Sequence, residues 1–361
     1  MPKIVLTGGG TAGHVTPNLA LLPGLKSHGF TVDYIGTADG LERGLIEREK
    51  DITYHIISAG KFRRYLDLKN ITDPFKVLKG IAQSRKILKE IRPDVVFSKG
   101  GFVAVPVVFA AHMLGIPTVI HESDISCGLA TKLSIPKANK VCLTFSEAAK
   151  NVDASKAVVT GSPMRAELFC GNAENARKKL KLDEKPVILF MGGSSGARVI
   201  NQTLRKCLSS ILEKYNVLHI CGAGNLAEDL LKVKGYVQKE YVTKELADYM
   251  ALASAVVSRA GSNSINEFLA LHKPMLLIPL SREVSRGDQE DNAESFKKAG
   301  YADVLLQQDM TPETLCQGID RLYAKREAYI NTMKNAPAAN GTQRVLDVIF
   351  QQVRAGAQRK K

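Results

Sequence analysis

The sequence predicts an α/β protein made of two Rossmann-like halves, each carrying a parallel sheet. Three observations point there. Short apolar runs alternate with stretches of helical period from the start of the chain. A strand that runs into glycines and then into a helix occurs twice, in KIVLTGGG (3–10) and in VILFMGGSSGA (187–197). The later apolar runs each end in a polar or glycine-rich loop. At 361 residues the chain suits two domains of ordinary size. The expected division is 1–162, 163–338, and a C-terminal segment 339–361 with one helix and a basic tail.

In the first half the opening strand leads to a helix near Asn18–His28, the strand TVDYIG (31–36), a helix near Leu41–Lys50 and a strand in TYHIIS (53–58). This is the rhythm of βαβ units. The next helix is expected to start with Asp73 as N-cap and Pro74 at its first position, with Pro93 beyond its end. On it, Leu78, Ile81, Leu88 and Ile91 are expected to face the sheet. The strand Asp94–Ser98 follows. Gly101–Ile120 has no Asp, Glu, Lys or Arg over a length sufficient to span a bilayer. Its punctuation divides it: Pro106 suits a first helical turn, Gly115 the position after a helix end, and Pro117 the entry to a β-branched run. It therefore reads as a buried helix and a buried strand. Strands near Thr118–His121 and Lys140–Thr144 complete the half.

A second cycle opens after Gly161-Ser162-Pro163. Its first strand ends in Gly192-Gly193-Ser194-Ser195-Gly196, which opens a long helix through Leu212. Strands follow in VLHICG (217–222), AVVSRAG (255–261) and PMLLIPL (274–280). The last helix lies near Thr342–Gln352, and the tail Arg354–Lys361 reads as disordered.

Composition excludes several classes. The six cysteines stand far apart without a C-x-x-C pair, and no His-x-x-x-His or Glu-x-x-His spacing offers metal ligands. They read as reduced thiols of a cytosolic protein, and neither metal nor cofactor is expected. Met1–Gly8 lacks the basic region and long apolar core of a signal peptide. Formal net charge is +14, and residues 61–92 alone hold ten bases against three acids. Such a cluster suits nucleic acid, anionic lipid or water alone, and its neighbours Phe62, Tyr65, Leu66 and Phe75 tilt the reading toward lipid. The expected docking residues are Lys61, Phe62, Arg63, Arg64 and Phe75; no nucleic-acid partner is expected.

The loops carry the chemistry. Gly8 to Gly13 satisfies G-x-G-x-x-G after a strand, and exposed N–H groups at a helix start attract electron-rich groups. A nicotinamide site also needs an acid at the tip of the second strand, and Asp33 lies inside that strand instead. The second glycine loop can hold a diphosphate through backbone N–H groups, the helix dipole and the Ser194 hydroxyl, and Arg165 can help neutralise a leaving group. No Asp-x-Asp signals a bridging divalent ion. At the same sheet edge come Ser262 in Ser258–Ser264, Glu267 one helical turn on, and Gln289 with Asn292; a carboxylate there can accept protons from two ribose hydroxyls.

The ordered set GGGTAGHVTPNLAL, KGGFVAVP, HESD, GSPMR, GGSSGARVINQ, SRAGSNSINE and DQEDNA resembles the MurG family of glycosyltransferases from Lys3 to about residue 350. The resemblance implies a GT-B fold, with two Rossmann-like domains facing across a cleft and the C-terminal helix returning to the first. It implies inverting, metal-free transfer of N-acetylglucosamine from UDP-N-acetylglucosamine to undecaprenyl-diphosphate-linked muramoyl-pentapeptide, in peptidoglycan synthesis. It also implies peripheral residence on anionic lipid at the cytoplasmic face of the membrane. It puts Thr11, Ala12 and Gly13 near the transferred sugar, Arg165 and Ser194 near the diphosphate, Glu267 on the ribose and Gln289 by the sugar hydroxyls, with Asp124, Ser262 and Asn292 as further donor contacts. Two residues depart from the family pattern: Ala12 replaces a glycine, and H-E-Q-N reads His121-Glu122-Ser123-Asp124. His14, just after the first glycine loop, is the candidate general base, because a helix start favours the neutral ring. Two rival readings are an enzyme like the UDP-N-acetylglucosamine 2-epimerases and a non-catalytic UDP-sugar-binding protein at a membrane surface.

Overall fold

The computed structural model describes residues 1–60, 69–193, 196–283, 285–337 and 339–359. The chain divides into two compact units, Met1–Arg165 with Asn340–Lys361, and Ala166–Ala339. The first holds strands β1 (Lys3–Thr7), β2 (Thr31–Gly36), β3 (Ile52–Ile56), β4 (Val95–Ser98), β5 (Thr118–Glu122), β6 (Lys140–Leu143) and β7 (Ala157–Val159). All pair in parallel, in the order β3-β2-β1-β4-β5-β6-β7. Its helices are α1 (Thr16–Ser27), α2 (Leu41–Ile46), α3 (Lys69–Ile91), α4 (Ala104–Met113), α5 (Leu129–Ser134) and the C-terminal helix Thr342–Arg359, which returns to this unit.

Strand alternation explains the layering. From β1, Ile4 and Leu6 pack with Leu21 and Leu25 of α1 and with Val345, Leu346 and Ile349 of the C-terminal helix. Val5 points the other way, to Val96, Leu88 of α3 and Val107 and Ala111 of α4. Both faces are covered, so these strands are apolar without polar alternation. Complete burial of each such side chain stabilises the fold by roughly 1.5–3 kcal/mol.

The segment 101–120 resolves as the sequence suggests, into α4 and the wholly buried β5. Gly115 N–H bonds to His112 and Ile116 N–H to Ala111, a Schellman closure with Gly115 in the left-handed region. Among the described residues no helix is long and apolar enough to cross a membrane.

Three expectations for the first unit need correction. Helix α3 begins at Lys69, so Pro74 lies inside it and Asp73 is no N-cap. Asp73 is buried and its carboxylate meets Lys76 Nζ at 3.2 Å, while Pro74 forfeits a single helical N–H near the helix start. The inward ridge of α3 runs through Gly80, Ser84 and Leu88, which places Leu78 outside it, 63% exposed. The C-terminal helix continues to Arg359, because Phe350 and Val353 still pack on the core and Gly356 lies against Pro117.

The second unit holds β8 (Val187–Met191), β9 (Asn216–Ile220), β10 (Tyr236–Lys239), β11 (Ala253–Ser258), β12 (Met275–Leu277) and β13 (Ala302–Val304). The order β10-β9-β8-β11-β12-β13 repeats that of the first sheet, again wholly parallel. Its first helices are α6 (Ala173–Leu180), α7 (Arg198–Lys206), α8 (Leu208–Lys214), α9 (Leu246–Leu252), α10 (Ser262–Ala270) and α11 (Asp288–Lys298). Ile188 and Phe190 pack with Ile200 and Leu204 of α7, Ile211 of α8, and Leu315 and Ile319 from the helix Pro312–Ala324. The single long helix expected through Leu212 is two, broken at Cys207. There the backbone N–H turns to Leu204 O, three residues back, and the thiol takes the Thr203 carbonyl that a continuing helix would use.

Where the chain leaves and re-enters the first unit, its two passages are tied together. Ser162 bridges Asn340, Gly341 N–H donates to Ser162 O at 2.8 Å, and Thr342 Oγ1 bonds both the N–H and the carbonyl of Met164. A Cβ on Gly341 would meet the Thr160 carbonyl oxygen and Gly161 backbone carbon at 2.5 Å, atoms held by the strand above them. Gly341→Ala is therefore expected to destabilise by about 1–3 kcal/mol. Gly44→Ala in α2, with nothing within 4 Å of the added methyl, should stabilise by about 0.5–1 kcal/mol. Urea unfolding of the two variants checks both signs.

Candidate active site

In a parallel sheet with this strand order, the topological switch lies between β1 and β4, and in the second sheet between β8 and β11; ligands collect at the carboxyl ends there. Every loop singled out from the sequence leaves one of these edges.

In the first unit the glycine loop after β1 is held from three sides. Tyr34 OH donates to Gly8 O at 2.6 Å and itself accepts from Asn18 Nδ2 at 3.1 Å. Burial pushes the Tyr34 hydroxyl far above its ordinary range, so it stays a donor. Glu42, fully buried at the start of α2, accepts from Gly10 N at 3.2 Å through one carboxylate oxygen and from Thr37 N (3.1 Å) and Thr37 Oγ1 (2.6 Å) through the other. The carboxylate lies 2.6 Å from where a Gly9 Cβ would stand, so a side chain at Gly9 would expel it. The Gly10 N–H, counted in the sequence reading among groups open to a ligand, thus serves a carboxylate of the same unit.

His14 sits in the short 3₁₀ turn Ala12–His14 before α1, half-buried beside exposed Thr11 and half-buried Ala12 and Gly13. Its Nδ1 lies 3.1 Å from Gly9 O and 3.0 Å from Thr11 Oγ1. A carbonyl can only accept, so Nδ1 carries the proton and the ring's lone pair resides on Nε2. The second glycine turn, after β4, completes the fit: Gly101 has φ +80°, and a Cβ there would strike Gly9 O and come within 3.0 Å of His14 Nδ1.

The loop after β5 is organised by another buried carboxylate. Glu122 accepts from Ser123 N at 2.8 Å, Asp124 N at 3.0 Å and Gly128 N at 3.3 Å. Lys99, at the end of β4 and 2% exposed, donates its Nζ to Ser123 Oγ. Burial pulls the Lys99 ammonium down to about 8, while Glu122 and Asp124 oppose the shift. His121 is held neutral by burial and by the Lys99 charge, and its Nε2 donates to Gly161 O at 3.0 Å. Three adjacent strands thus bring His14, Lys99 and Asp124 to one edge.

In the second unit, α7 opens after the glycine loop; Ser194 and Ser195 lie outside the described residues. The helix start is fixed by a buried chain in which Asn201 Nδ2 donates to Cys221 O at 2.8 Å and Asn201 Oδ1 meets His219 Nε2 at 2.9 Å. Burial holds His219 down at about 3, so the ring is neutral and its Nδ1 can accept from Tyr236 OH at 2.8 Å. After β11, Ser262 starts α10 and is buried, and Glu267 is half-buried on the same helix. On α11, half-buried Gln289 accepts from Leu280 N at 3.0 Å through Oε1. Asn292 is fully buried and donates to Ala260 O at 3.3 Å, which ties α11 to the loop after β11. Arg165 closes the first unit, and its Nε is buried without a partner among the described residues. Among those residues no His, Cys, Asp and Glu cluster could hold a metal ion.

Sequence reasoning missed Glu42 and Lys99. Glu42 stands six residues past β2 and resembles any helix-start acid; Lys99 belongs to the quoted run KGGFVAVP, but nothing in sequence marks a lysine as buried. Lys99 has a measurable signature. Its folded state releases the proton near pH 8, whereas an unfolded chain keeps it to about 10.4, so the unfolded state binds more protons across that window and stability rises with pH there. Between pH 7.5 and 9.5 the unfolding free energy of the wild type should gain about 2 kcal/mol relative to Lys99→Met, in parallel urea titrations of both proteins.

Comparison with known proteins accords with this layout. The family model for the glycosyltransferase family 28 N-terminal domain matches residues 4–143, and that for the family's C-terminal domain matches 187–349. The chain is 54% identical over 350 residues to the UDP-N-acetylglucosamine--N-acetylmuramyl-(pentapeptide) pyrophosphoryl-undecaprenol N-acetylglucosamine transferase of Clostridium kluyveri, covering 97% of this chain and 99% of that one. It is 52% identical to the protein of the same name from Clostridium tetani, covering 96% and 97%. Among solved structures, Acinetobacter baumannii MurG superposes with TM-score 0.77 at 28% identity, over 97% of this chain and 100% of that one. The UDP-GlcNAc 2-epimerase of Neisseria meningitidis, bound to UDP-GlcNAc, gives TM-score 0.68 at 13% identity over 97% and 100%, a likeness of fold alone. With two Rossmann-like parallel sheets and both family domains matched, this chain is a GT-B glycosyltransferase and belongs to glycosyltransferase family 28.

Proposed function

We propose that the protein transfers N-acetylglucosamine from UDP-N-acetylglucosamine to a muramoyl-pentapeptide carried on undecaprenyl diphosphate, a step of peptidoglycan synthesis. The observation that carries this is the 54% identity, spread over both units, to a transferase named for that reaction.

The chemistry assigned to the edges is an inverting displacement. An acceptor hydroxyl oxygen bonds to the anomeric carbon as the carbon–phosphate oxygen bond breaks; the hydroxyl proton passes to His14 Nε2 and UDP leaves with the electron pair. The Nδ1–H bond to Gly9 O supports this role, since it sets the tautomer a base requires. Thr11, Ala12 and Gly13 line the transferred sugar. Arg165, whose buried Nε has no partner among the described residues, neutralises charge on the diphosphate and Ser194 donates a hydrogen bond to it. Glu267 takes the ribose hydroxyls, Gln289 and Asp124 meet the sugar, and Ser262 and Asn292 shape the donor pocket. In a transfer assay with labelled UDP-N-acetylglucosamine and a lipid-diphosphate acceptor, His14→Ala should lower kcat about 10²- to 10⁴-fold with donor affinity nearly intact, and Glu267→Ala should chiefly weaken donor binding. A fall of less than tenfold for His14→Ala moves the base elsewhere.

The acceptor's lipid places the enzyme at the cytoplasmic face of the membrane, held peripherally. On α3, Phe75 is 71% and Leu78 63% exposed, one turn apart beside exposed Lys76 and Lys79. Lys61, Phe62, Arg63 and Arg64, the other expected docking residues, lie outside the described residues. An apolar pair ringed by bases suits anionic lipid, with about 1 kcal/mol from each charge near the surface. Sedimentation with anionic vesicles should fall at least tenfold for Lys61→Glu/Arg63→Glu/Arg64→Glu and for Phe75→Ser/Leu78→Ser. Only the charge variant should lose most of the salt sensitivity; equal binding by all three proteins assigns the face to solvent.

A further inference from the structure

The polar chain beneath the second glycine loop runs in one direction only. Asn201 ends the first turn of α7, His219 lies near the end of β9 and Tyr236 starts β10, and all three are buried. The Cys221 carbonyl can only accept, so the Asn201 atom 2.8 Å from it is Nδ2 and Oδ1 faces the other way. Oδ1 also can only accept, so His219 Nε2, 2.9 Å away, carries the ring proton. That leaves a lone pair on Nδ1. Burial raises the Tyr236 hydroxyl above its ordinary range, so it keeps its proton and donates to Nδ1 across 2.8 Å. Four groups in series thus permit one arrangement of protons, which begins at a phenol and ends on a single backbone carbonyl.

The glycine loop rests on that carbonyl. Gly196, at φ +74°, approaches Cys221 so closely that a Cβ there would strike the carbonyl oxygen and stand 3.0 Å from its carbon. Gly196 N–H closes the turn on Gly193 O at 3.0 Å, and Ala197 O accepts from Asn201 N at 2.9 Å. Loop and chain therefore meet twice. Gly192, Gly193 and Gly196 contribute no side chains to fix the loop's path, and ordering such backbone on binding costs affinity. A Cys221 carbonyl held by Asn201 lowers that cost.

We propose that His219 and Tyr236 are positioning residues for the donor: through Asn201 they hold the Cys221 carbonyl, and with it the turn at Gly193 and Gly196, in the shape that takes the diphosphate. This rests on the reading that the loop after β8 holds the diphosphate. At 1% and 4% exposure neither His219 nor Tyr236 can reach a ligand, so both act through the backbone above them. The effect is confined to the phosphates. The ribose is assigned to Glu267 on α10, which follows a different strand, so loss of the chain costs affinity for the diphosphate and spares the nucleoside.

The test is equilibrium titration of the full chain with UDP and with uridine, for the wild type, Asn201→Ala, His219→Leu, His219→Gln and Tyr236→Phe. Asn201→Ala and His219→Leu are expected to weaken UDP binding about tenfold and Tyr236→Phe about threefold, all with uridine binding unchanged. His219→Gln keeps an N–H for Asn201 where a leucine of similar size cannot, and should bind UDP within about threefold of the wild type. A role in packing alone predicts equal UDP affinity for His219→Leu and His219→Gln, and that result overturns the proposal. Should the His219 variants fail to fold, Asn201→Ala and Tyr236→Phe decide: a ratio of UDP to uridine affinity unchanged from the wild type overturns it. A wild type that binds uridine as tightly as UDP removes the reading of the loop, and the proposal with it.

Discussion

The first sheet's working edge depends on carboxylates that the protein places where it cannot afford exposed backbone. Glu42 is wholly buried and gives its two oxygens to Gly10 N and to Thr37, joining the loop after β1 to the loop after β2. Remove that charge and the part-buried Gly10 N–H and Thr37 lose their acceptor together, at a cost of about 0.5–1.5 kcal/mol for each hydrogen bond. Gly9 can hold its path only because the carboxylate fills the volume a side chain would take, and the Gly9 carbonyl in turn fixes the His14 tautomer. Glu122 does the same for the loop after β5. The positions of His14 and Asp124 are thus set by buried acids that hold the loop backbone.

This changes what the two glycine motifs mean. In a dinucleotide site the loop's N–H groups and the helix dipole are reserved for a phosphate. In the first unit Gly10 N–H already has an internal anion, so an added phosphate would meet Glu42 as a like charge. In the second unit no acidic residue occupies the first turn of α7, and the buried Asn201–His219 chain holds that helix start without drawing on its N–H groups. Similar motifs on sheets of matching strand order therefore differ in sign: the first loop carries an internal carboxylate, while the first turn of α7 holds no acid.

Much of this was legible from residue order. The repeated strand–glycine–helix unit foretold two parallel sheets, because strands covered on both faces read as unbroken apolar runs, and Ile4, Val5 and Leu6 are buried alternately toward opposite layers. Proline and glycine placed the ends of α4 correctly, since Gly115 needs the left-handed turn that closes it. Local rules failed where tertiary contacts outweighed them. Pro74 did not start α3, a tight turn with Cys207 N–H on Leu204 O split a helix, and the polar C-terminal residues stayed helical because Phe350 and Val353 hold the helix to the core. Leu78 kept the helical period but lay off the inward ridge of Gly80, Ser84 and Leu88, which no count of apolar residues reveals.

Buried charge was the least legible feature, and the reason is physical. A lysine costs several kcal/mol to bury unless carboxylates and hydrogen bonds surround it, so its position in sequence argues for exposure until the fold supplies those partners. For Lys99 the partners come from β5, more than twenty residues on: Ser123 by hydrogen bond, Glu122 and Asp124 by charge. Taken along the chain, Ser123 and Asp124 are simply two polar residues that follow a strand. Across the sheet they are half of an arrangement whose other half is the lysine closing β4. Burial alone would drive the ammonium's proton off; the charges of Glu122 and Asp124 and the Ser123 hydroxyl oppose that, so the loop after β5 is what lets a lysine close β4.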